Sequence, residues 1–125
     1  MVPVDESSSA KTVATGPLTL KELVAYQEGA IVSRTLVNES GGTVTIFAFD
    51  EGQGLSEHTS PFDALVIVIE GAVDIRVSSK DLHLNEGQMI IMPANKPHEL
   101  KAVTRLKMML VMVRSHRLIS TVSAP

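Results

Sequence analysis

The feature that most constrains this chain is a series of short runs rich in β-branched residues, separated at regular intervals by turn residues. From Ala30 onward, eight such runs alternate with breaks that contain Gly, Asn and Pro. The runs cover residues 31–37, 43–49, 62–70, 72–77, 81–84, 88–92, 97–103 and 106–113. Short strands at this spacing predict an all-β sandwich or barrel.

The segment that precedes these runs predicts an arm and one short helix. Residues 1–16 are rich in Ser, Thr and small residues without periodicity, so we expect a flexible N-terminal arm. Thr19 and Glu22 have the spacing of a capping box, and Leu23 and Val24 lie on one helical face, which predicts a helix of about two turns. We expect the barrel to span residues 17–115 and a C-terminal tail to span residues 116–125.

Composition excludes several classes of function. The chain of 125 residues has 11 basic and 14 acidic residues, one Tyr, three Phe and no Trp, so it lacks the cationic field and the stacking rings that nucleic-acid binding uses. The absence of Cys excludes disulfides, thiolate metal sites and thiol catalysis. Neither a secretory leader nor an apolar run of membrane-spanning length is evident. We therefore expect a soluble, cytoplasmic protein with neither a nucleic-acid nor a membrane partner.

Two of the predicted strands are apolar on both faces. Residues 65–69 and 108–113 contain almost only apolar side chains, so a second layer or a second subunit should cover their outer side. Phe47 and Phe49 project from the same face of a third strand. Together these features predict a homodimer.

Two segments place His near turn glycines at the spacing of a known family. Residues 52–71 have Gly at both ends and His58 between them, and residues 87–98 begin with Gly and end with His98. Taken in order, they resemble the two motifs of the cupin superfamily, with Asn95 at the place of a motif glycine. The resemblance implies a double-stranded β-helix, the cupin or jelly-roll barrel, and a dimeric assembly fits the habit of the family.

The same resemblance implies a metal site in the barrel lumen, formed by three His and one Glu. His58 and His98 match the first and third His, whereas Ser60 stands at the place of the second His and Ala64 at the place of the Glu. Residues 58, 60 and 64 differ by even numbers, so an extended segment directs them to one face. Asp63 points to the opposite face unless a β-bulge turns it inward as a substitute ligand.

Two imidazoles without the other ligands would hold a divalent transition metal, Zn, Ni, Fe, Mn or Cu, only weakly. We therefore expect a lumen that is metal-free or holds its metal weakly. The ligand-binding residues predicted for it are His58, Ser60, His98, Val66 and Leu100. The methionines are interpreted as core filling, with a pocket for an apolar ligand or a soft metal as the alternative; they lie at positions 89, 92, 108, 109 and 112.

Three functions stay open at this point. The favoured one is the binding of a small polar or anionic molecule in the lumen, without a strong need for metal. The second is a metal-dependent enzyme, an oxygenase, isomerase or lyase that acts on a small organic acid or sugar derivative. The third is an accessory or regulatory module that works through its dimer contacts. Neither the ligand nor a catalytic residue is indicated by the sequence, because cupins use one barrel for many chemistries.

Overall fold

The computed structural model describes the backbone of residues 4–5 and all of residues 16–114. Apart from Val4, Asp5 and Gly16, the predicted arm lies outside the described residues, as does the predicted tail over residues 116–125. The described residues form ten strands, which are β1 (Val4–Asp5), β2 (Ile31–Glu39), β3 (Gly42–Phe49), β4 (Gly54–His58), β5 (Phe62–Glu70), β6 (Ala72–Val77), β7 (Lys80–Asn85), β8 (Met89–Met92), β9 (His98–Ala102) and β10 (Leu106–Arg114).

The strands form two sheets that pack face to face. The large sheet has the order β1-β2-β3-β10-β5-β8, and the small sheet has the order β4-β9-β6-β7. Only β1 and β2 pair in parallel, and all other pairings among the described strands are antiparallel. This architecture is the predicted all-β double-stranded β-helix.

The main core lies between the two sheets. Alternate residues of each strand point inward, as the two-residue period of a strand requires. Phe49, Leu106 and Met108 are completely buried at its centre. The residues of this inter-sheet core are Ile31, Phe49, Ala64, Val66, Val68, Val73, Ile75, Leu84, Met92, Leu100, Ala102, Leu106 and Met108.

Eight of the strands were predicted, and their ends lie within two residues of the predicted ends. The prediction missed two strands. The short β1 falls in the segment expected to be a flexible arm, and β4 falls where a loop was expected. The sequence of β4, GLSEH, has no apolar alternation, and four of its five residues are exposed, so the period-2 signal of a half-buried strand is absent.

The predicted N-terminal helix is wrong. The structure has a single 3-10 turn over Leu20–Glu22, and the side chain of Thr19 makes no capping hydrogen bond. The carbonyl of Leu23, which a continuing helix would use, accepts a hydrogen bond from Arg34 Nη1 at 3.3 Å instead. A helix of two turns is marginal on its own, so packing of this segment on the sheet decides its conformation.

The outer face of the large sheet carries a second, smaller core. Leu23 and Val24 pack there against Val32, Ile46 and Ala48. The expected second layer is therefore supplied in part by the chain itself. Phe47 and Phe49, by contrast, do not form an outer surface: their ring centroids are 5.7 Å apart, and both pack in or against the inter-sheet core. This removes one of the reasons given for a homodimer.

Candidate functional site

The antiparallel pairing of β4 with β9 places His58 directly opposite His98. The register shifts between Leu55 and His58, because three steps along β4 match two steps along β9. This β-bulge lets Leu55 and His58 both face the barrel interior although they are an odd number of residues apart. The bulge precedes His58 and therefore does not bear on the parity argument, which concerned residues 58, 60 and 64.

The two imidazole rings are in direct contact. Nε2 of His58 lies 3.1 Å from Nε2 of His98, and the ring centroids are 4.4 Å apart with an interplanar angle of 70°. His98 is only 6% exposed, whereas His58 is exposed. The pair therefore reaches from the solvent into the end of the barrel, which we call the histidine end.

Backbone carbonyls hold both rings from behind. Nδ1 of His58 is 2.7 Å from the carbonyl oxygen of Ser56, and Nδ1 of His98 is 3.1 Å from that of Lys96. A carbonyl oxygen only accepts hydrogen bonds, so each Nδ1 must carry the proton that it donates. In the neutral rings both Nε2 atoms then have free lone pairs that point at each other. Because two lone pairs repel, this arrangement requires a proton, a metal ion or a hydrogen-bond donor of a ligand that both nitrogens can share.

Burial favours the neutral form of the inner ring. The pKa of His98 lies below its ordinary value, chiefly because the ring is desolvated. The hydrogen bond with Lys96 acts in the opposite direction, and the neighbouring His58 lowers the pKa further. The site consequently presents two lone-pair donors more readily than two positive charges.

The polar residues predicted for the site, Ser60 and Asp63, form hydrogen bonds with nearby backbone amides. Ser60 lies in the β4–β5 connection, where its Oγ accepts a hydrogen bond from the Phe62 amide at 3.1 Å. Asp63 is buried, and its carboxylate accepts a hydrogen bond from the Ala94 amide at 2.8 Å. Ala64 faces the inter-sheet core, as parity predicted. The side chain of Asp63 thus holds the β8–β9 connection in place.

The two apolar residues predicted for the lumen lie one strand step further inside. Leu100 follows His98 by two residues on β9, and Val66 follows Ala64 by two residues on β5, so each shares the inward direction of its predecessor. Leu100 is 5% exposed and Val66 is completely buried. Both belong to the inter-sheet core.

Comparison with known proteins gives the family. The cupin domain model matches residues 45–114, which is more than half of the chain. The protein belongs to the cupin family. A conserved protein of unknown function from Streptococcus pyogenes is 36% identical, with 82% of this chain and 90% of that chain covered and a TM-score of 0.78. A cupin 2 conserved barrel domain protein from Leptotrichia buccalis is 38% identical, with 77% and 47% covered and a TM-score of 0.74.

A cupin superfamily protein from Desulfitobacterium hafniense shares the fold. It is 24% identical, with 80% of this cupin and 92% of that chain covered and a TM-score of 0.77. No curated protein matches the sequence. In the part of the chain that the structure describes, no helix has the length and hydropathy needed to cross a membrane.

This cupin also has a concave region outside the barrel, which the sequence did not indicate. A groove of about 570 Å³ lies on the outer face of the small sheet. In it, Arg76 Nε is 2.8 Å from Asp81 Oδ1, and His83 Nδ1 is 2.6 Å from Asp74 Oδ1. The pKa of His83 is raised chiefly by this hydrogen bond with Asp74. The charges thus pair with one another across the strands, as on a solvated sheet face.

Two features of the histidine end were not found from the sequence. The carbonyl groups of Ser56 and Lys96 set the direction of the imidazoles, but a backbone group has no residue-type signal. Met92 on β8 and Met112 on β10 each lie directly opposite Ala64 on β5. A sequence gives the parity within one strand but not the register between strands, so these neighbours could not be predicted.

Proposed function

We propose that this cupin binds a small polar molecule at its histidine end, with His58 and His98 as the recognition pair. The observation that carries the proposal is the convergence of two Nε2 atoms at 3.1 Å while both Nδ1 atoms face backbone carbonyls. Two lone pairs held this close favour a ligand that places a hydrogen-bond donor between them. Ser60, Val66 and Leu100 remain proposed neighbours of such a ligand.

The chemistry of the pair defines the ligand class. Because burial lowers the pKa of His98, the neutral pair accepts hydrogen bonds from a hydroxyl, an amine or a protonated acid. When one proton lies between the rings, the pair instead carries a positive charge and attracts an anion. Exposed His58 leaves an approach from solvent. A small hydroxy acid or a sugar derivative combines both kinds of group.

A thermal-shift screen of the metal-free, full-length protein against small hydroxy acids, sugars and amines tests this proposal. We expect at least one compound to stabilise the protein, and the stabilisation to be lost in His58→Gln, whose exposed position tolerates the change. His83→Gln, on the outer face of the small sheet, serves as the matched control and should keep the full effect. Stabilisation that persists unchanged in His58→Gln would contradict the proposal.

The second candidate function is that of a metal-dependent enzyme, favoured by the geometry of the same pair. Metal–nitrogen bonds of about 2.0–2.1 Å to two atoms 3.1 Å apart enclose an angle of roughly 100°. His58 and His98 therefore fit two adjacent positions of one metal ion. Among the described residues no group of three His, Cys, Asp or Glu can hold a metal, so water or substrate would complete the shell. A divalent ion there would polarise a bound substrate oxygen as a Lewis acid.

Metal analysis of the purified protein tests the second candidate. This candidate predicts near-stoichiometric metal in the wild type and its loss in His58→Ala. Ser60→His, which restores the residue that the family motif has at this place, should raise the affinity for Zn²⁺. An unchanged affinity in Ser60→His would show that residue 60 does not reach the pair.

A homodimer is the proposed assembly, and it rests on the outer face of the large sheet. There, Ile67 lies between Met109 and Met89, and Leu65 lies between Val111 and Ile91, in direct cross-strand register. Met89 is 45% exposed and Ile91 is 39% exposed. We call this surface the outer apolar patch; it consists of Leu65, Ile67, Met89, Ile91, Met109 and Val111. A patch without charges that spans three strands is typical of a protein interface, and a second copy is the commonest partner.

A further inference from the structure

Inward-facing methionines stand opposite the histidine pair. In the large sheet, Met92 and Met112 are the direct cross-strand neighbours of Ala64 on its two sides. Cross-strand partners direct their side chains to the same face, and Ala64 faces the inter-sheet core. Met92 belongs to that core, and Met112 packs against it. The place where the family motif has a glutamate therefore has a methyl group between two thioethers.

The chain connections place these methionines at the histidine end. β4 ends at His58 and β5 follows it closely, while β8 ends at Met92 and β9 begins at His98. The two connections are joined by a hydrogen bond from the Asn95 amide to the Ser60 carbonyl at 2.7 Å. Sheets pack about 10 Å apart, which is spanned by one long side chain from each sheet. Thioethers and imidazoles consequently approach the same end of the lumen from opposite sheets.

Two oxygen groups near this end already have hydrogen-bond partners. The carboxylate of Asp63 accepts a hydrogen bond from the Ala94 amide, and the hydroxyl of Ser60 accepts one from Phe62. The donors that the two sheets direct toward the lumen at this end include two imidazole nitrogens and two thioether sulfurs. Soft donors of this kind select Cu(I), whereas Mn²⁺, Mg²⁺ and Ca²⁺ require oxygen ligands.

From these observations we propose a Cu(I) site formed by His58, His98, Met92 and Met112. The inference deepens the metal-dependent alternative above, because it uses the same histidine pair and names the metal. Two imidazoles alone can satisfy Cu(I) only when they bind it from opposite sides, in a linear arrangement. Here the nitrogen–metal–nitrogen angle would be roughly 100°. Further donors are required, and the thioethers supply them from the other sheet. Met92 and His98 are buried and shield the inner side of the site, whereas His58 faces the solvent.

The chain offers matched controls for a test, because each of the two strands carries a second methionine on its outer face. Metal-free, full-length protein is titrated anaerobically with Cu(I) against a chromophoric Cu(I) chelator, and separately with Zn²⁺ and Mn²⁺. We expect one equivalent of Cu(I), bound at least a hundredfold more tightly than Mn²⁺. The double variant Met92→Leu with Met112→Leu should bind Cu(I) at least tenfold more weakly. Met89→Leu with Met109→Leu should bind it as the wild type does.

X-ray absorption of the Cu(I)-loaded protein provides the second measurement. Sulfur neighbours should be present in the wild type and in the outer-face variant and absent from the inward-face variant. Copper surrounded only by nitrogen and oxygen in the wild type, or an affinity unchanged in the inward-face variant, would overturn the inference. Tight Cu(I) binding without any stabilising polar ligand would support the copper site and contradict the ligand-binding proposal, so the two ideas fail separately.

Discussion

At the scale of single residues, the histidines of this cupin have opposite environments. Burial is the main cause of the lowered pKa of His98, whereas a hydrogen bond with Asp74 raises the pKa of the exposed His83. A lowered pKa in the folded state means that the unfolded chain binds the proton more readily. His98 therefore destabilises the fold as the pH falls through about 6.5, the ordinary histidine value. His83 contributes stability below that value and loses it as the pH rises through its raised pKa.

These opposite signs give a testable pH dependence. His98→Gln should make the loss of stability below about pH 6.5 shallower, because the group that resists protonation is gone. His83→Gln should make the same loss steeper, because a group that gains a proton on folding is gone. Urea midpoints between pH 5 and 8 measure both slopes. Parallel curves for the two variants would contradict the assigned environments.

Gly71 illustrates a residue whose identity the backbone dictates. Its φ is +87°, and an added Cβ would lie 2.0 Å from the carbonyl oxygen of Arg105. Asn95, which stands where the motif has a glycine, also has a positive φ of 65°, and Asn tolerates this conformation better than most residues. The motif thus keeps its backbone shape although one of its glycines is replaced.

A series of glycine variants separates the cost of the positive φ at Gly71 from the cost of the close contact with the Arg105 carbonyl oxygen. We expect Gly71→Ala to lower the free energy of unfolding by roughly 2–4 kcal/mol, since both the conformation and the close contact oppose a side chain. Gly29→Ala, with a φ of +69° and open space around it, should cost about 1 kcal/mol. Gly41→Ala has neither problem and should change little. Equal values for Gly71 and Gly29 would show that the close contact is unimportant.

At the scale of elements, β4 shows where sequence reasoning fails and why. The eight predicted strands have alternating or continuous apolar runs, which record how their faces are buried. β4 is exposed along most of its length and contains a bulge. Its residues therefore do not show the apolar pattern of a strand that packs on the core. The prediction of an N-terminal helix was wrong for a related reason. Leu23 and Val24 have the spacing of one helical face, but packing on the sheet surface that they cover sets their conformation. The convergence of His58 and His98 was predictable only through the family motifs.

The N-terminal segment is fastened to the barrel by Tyr26. Its hydroxyl donates a 2.7 Å hydrogen bond to Glu70, and the cations of Arg105 and Lys107 lie 5.0 and 4.9 Å from its ring centroid. Desolvation and the hydrogen bond with Glu70 raise the pKa of Tyr26. The hydroxyl consequently stays protonated and keeps its bond over the ordinary pH range.

Removal of this hydroxyl tests the fastening. Tyr26→Phe keeps the ring and its cation contacts but leaves Glu70 without its donor, so we expect a loss of about 1 kcal/mol in the free energy of unfolding. Tyr26→Leu should lose more, because the ring contacts also disappear. Urea unfolding monitored by circular dichroism provides the values. A neutral Tyr26→Phe would mean that the ring contacts alone hold the segment.

At the scale of the whole molecule, the outer face of the large sheet has two parts, one covered by the chain itself and one proposed to be covered by a second copy. The segment around Leu23 and Val24 covers β2 and β3, and the outer apolar patch lies on β5, β8 and β10. Because β8 is the edge strand of the sheet, a second copy would also shield an open edge. The prediction of a dimer came from the apolar runs on both faces, from Phe47 and Phe49 and from the habit of the family. Of the two apolar runs, the structure leaves the outer side chains at this patch without a covering segment among the described residues.

Sedimentation velocity at micromolar concentration tests the assembly. We expect a species of twice the chain mass of 13.4 kDa. Ile91 is an exposed residue of the patch on the edge strand β8, so Ile91→Lys should shift the protein to the monomer. Val103→Lys is the control, because Val103 is equally exposed, at 41%, but lies between β9 and β10. A wild-type monomer at these concentrations would remove the proposed dimer.

Both proposed functions have one requirement: His58 and His98 must turn bare Nε2 atoms toward each other at one end of the lumen. A long-range proton–nitrogen correlation spectrum of the imidazoles, recorded on metal-free full-length protein at pH 8 and assigned with His58→Gln and His98→Gln, tests it most directly. We expect both rings to be protonated at Nδ1, and each Nε2 signal to move when the other ring is removed. Protonation of either ring at Nε2 instead of Nδ1, or two signals indifferent to each other, would contradict the claim.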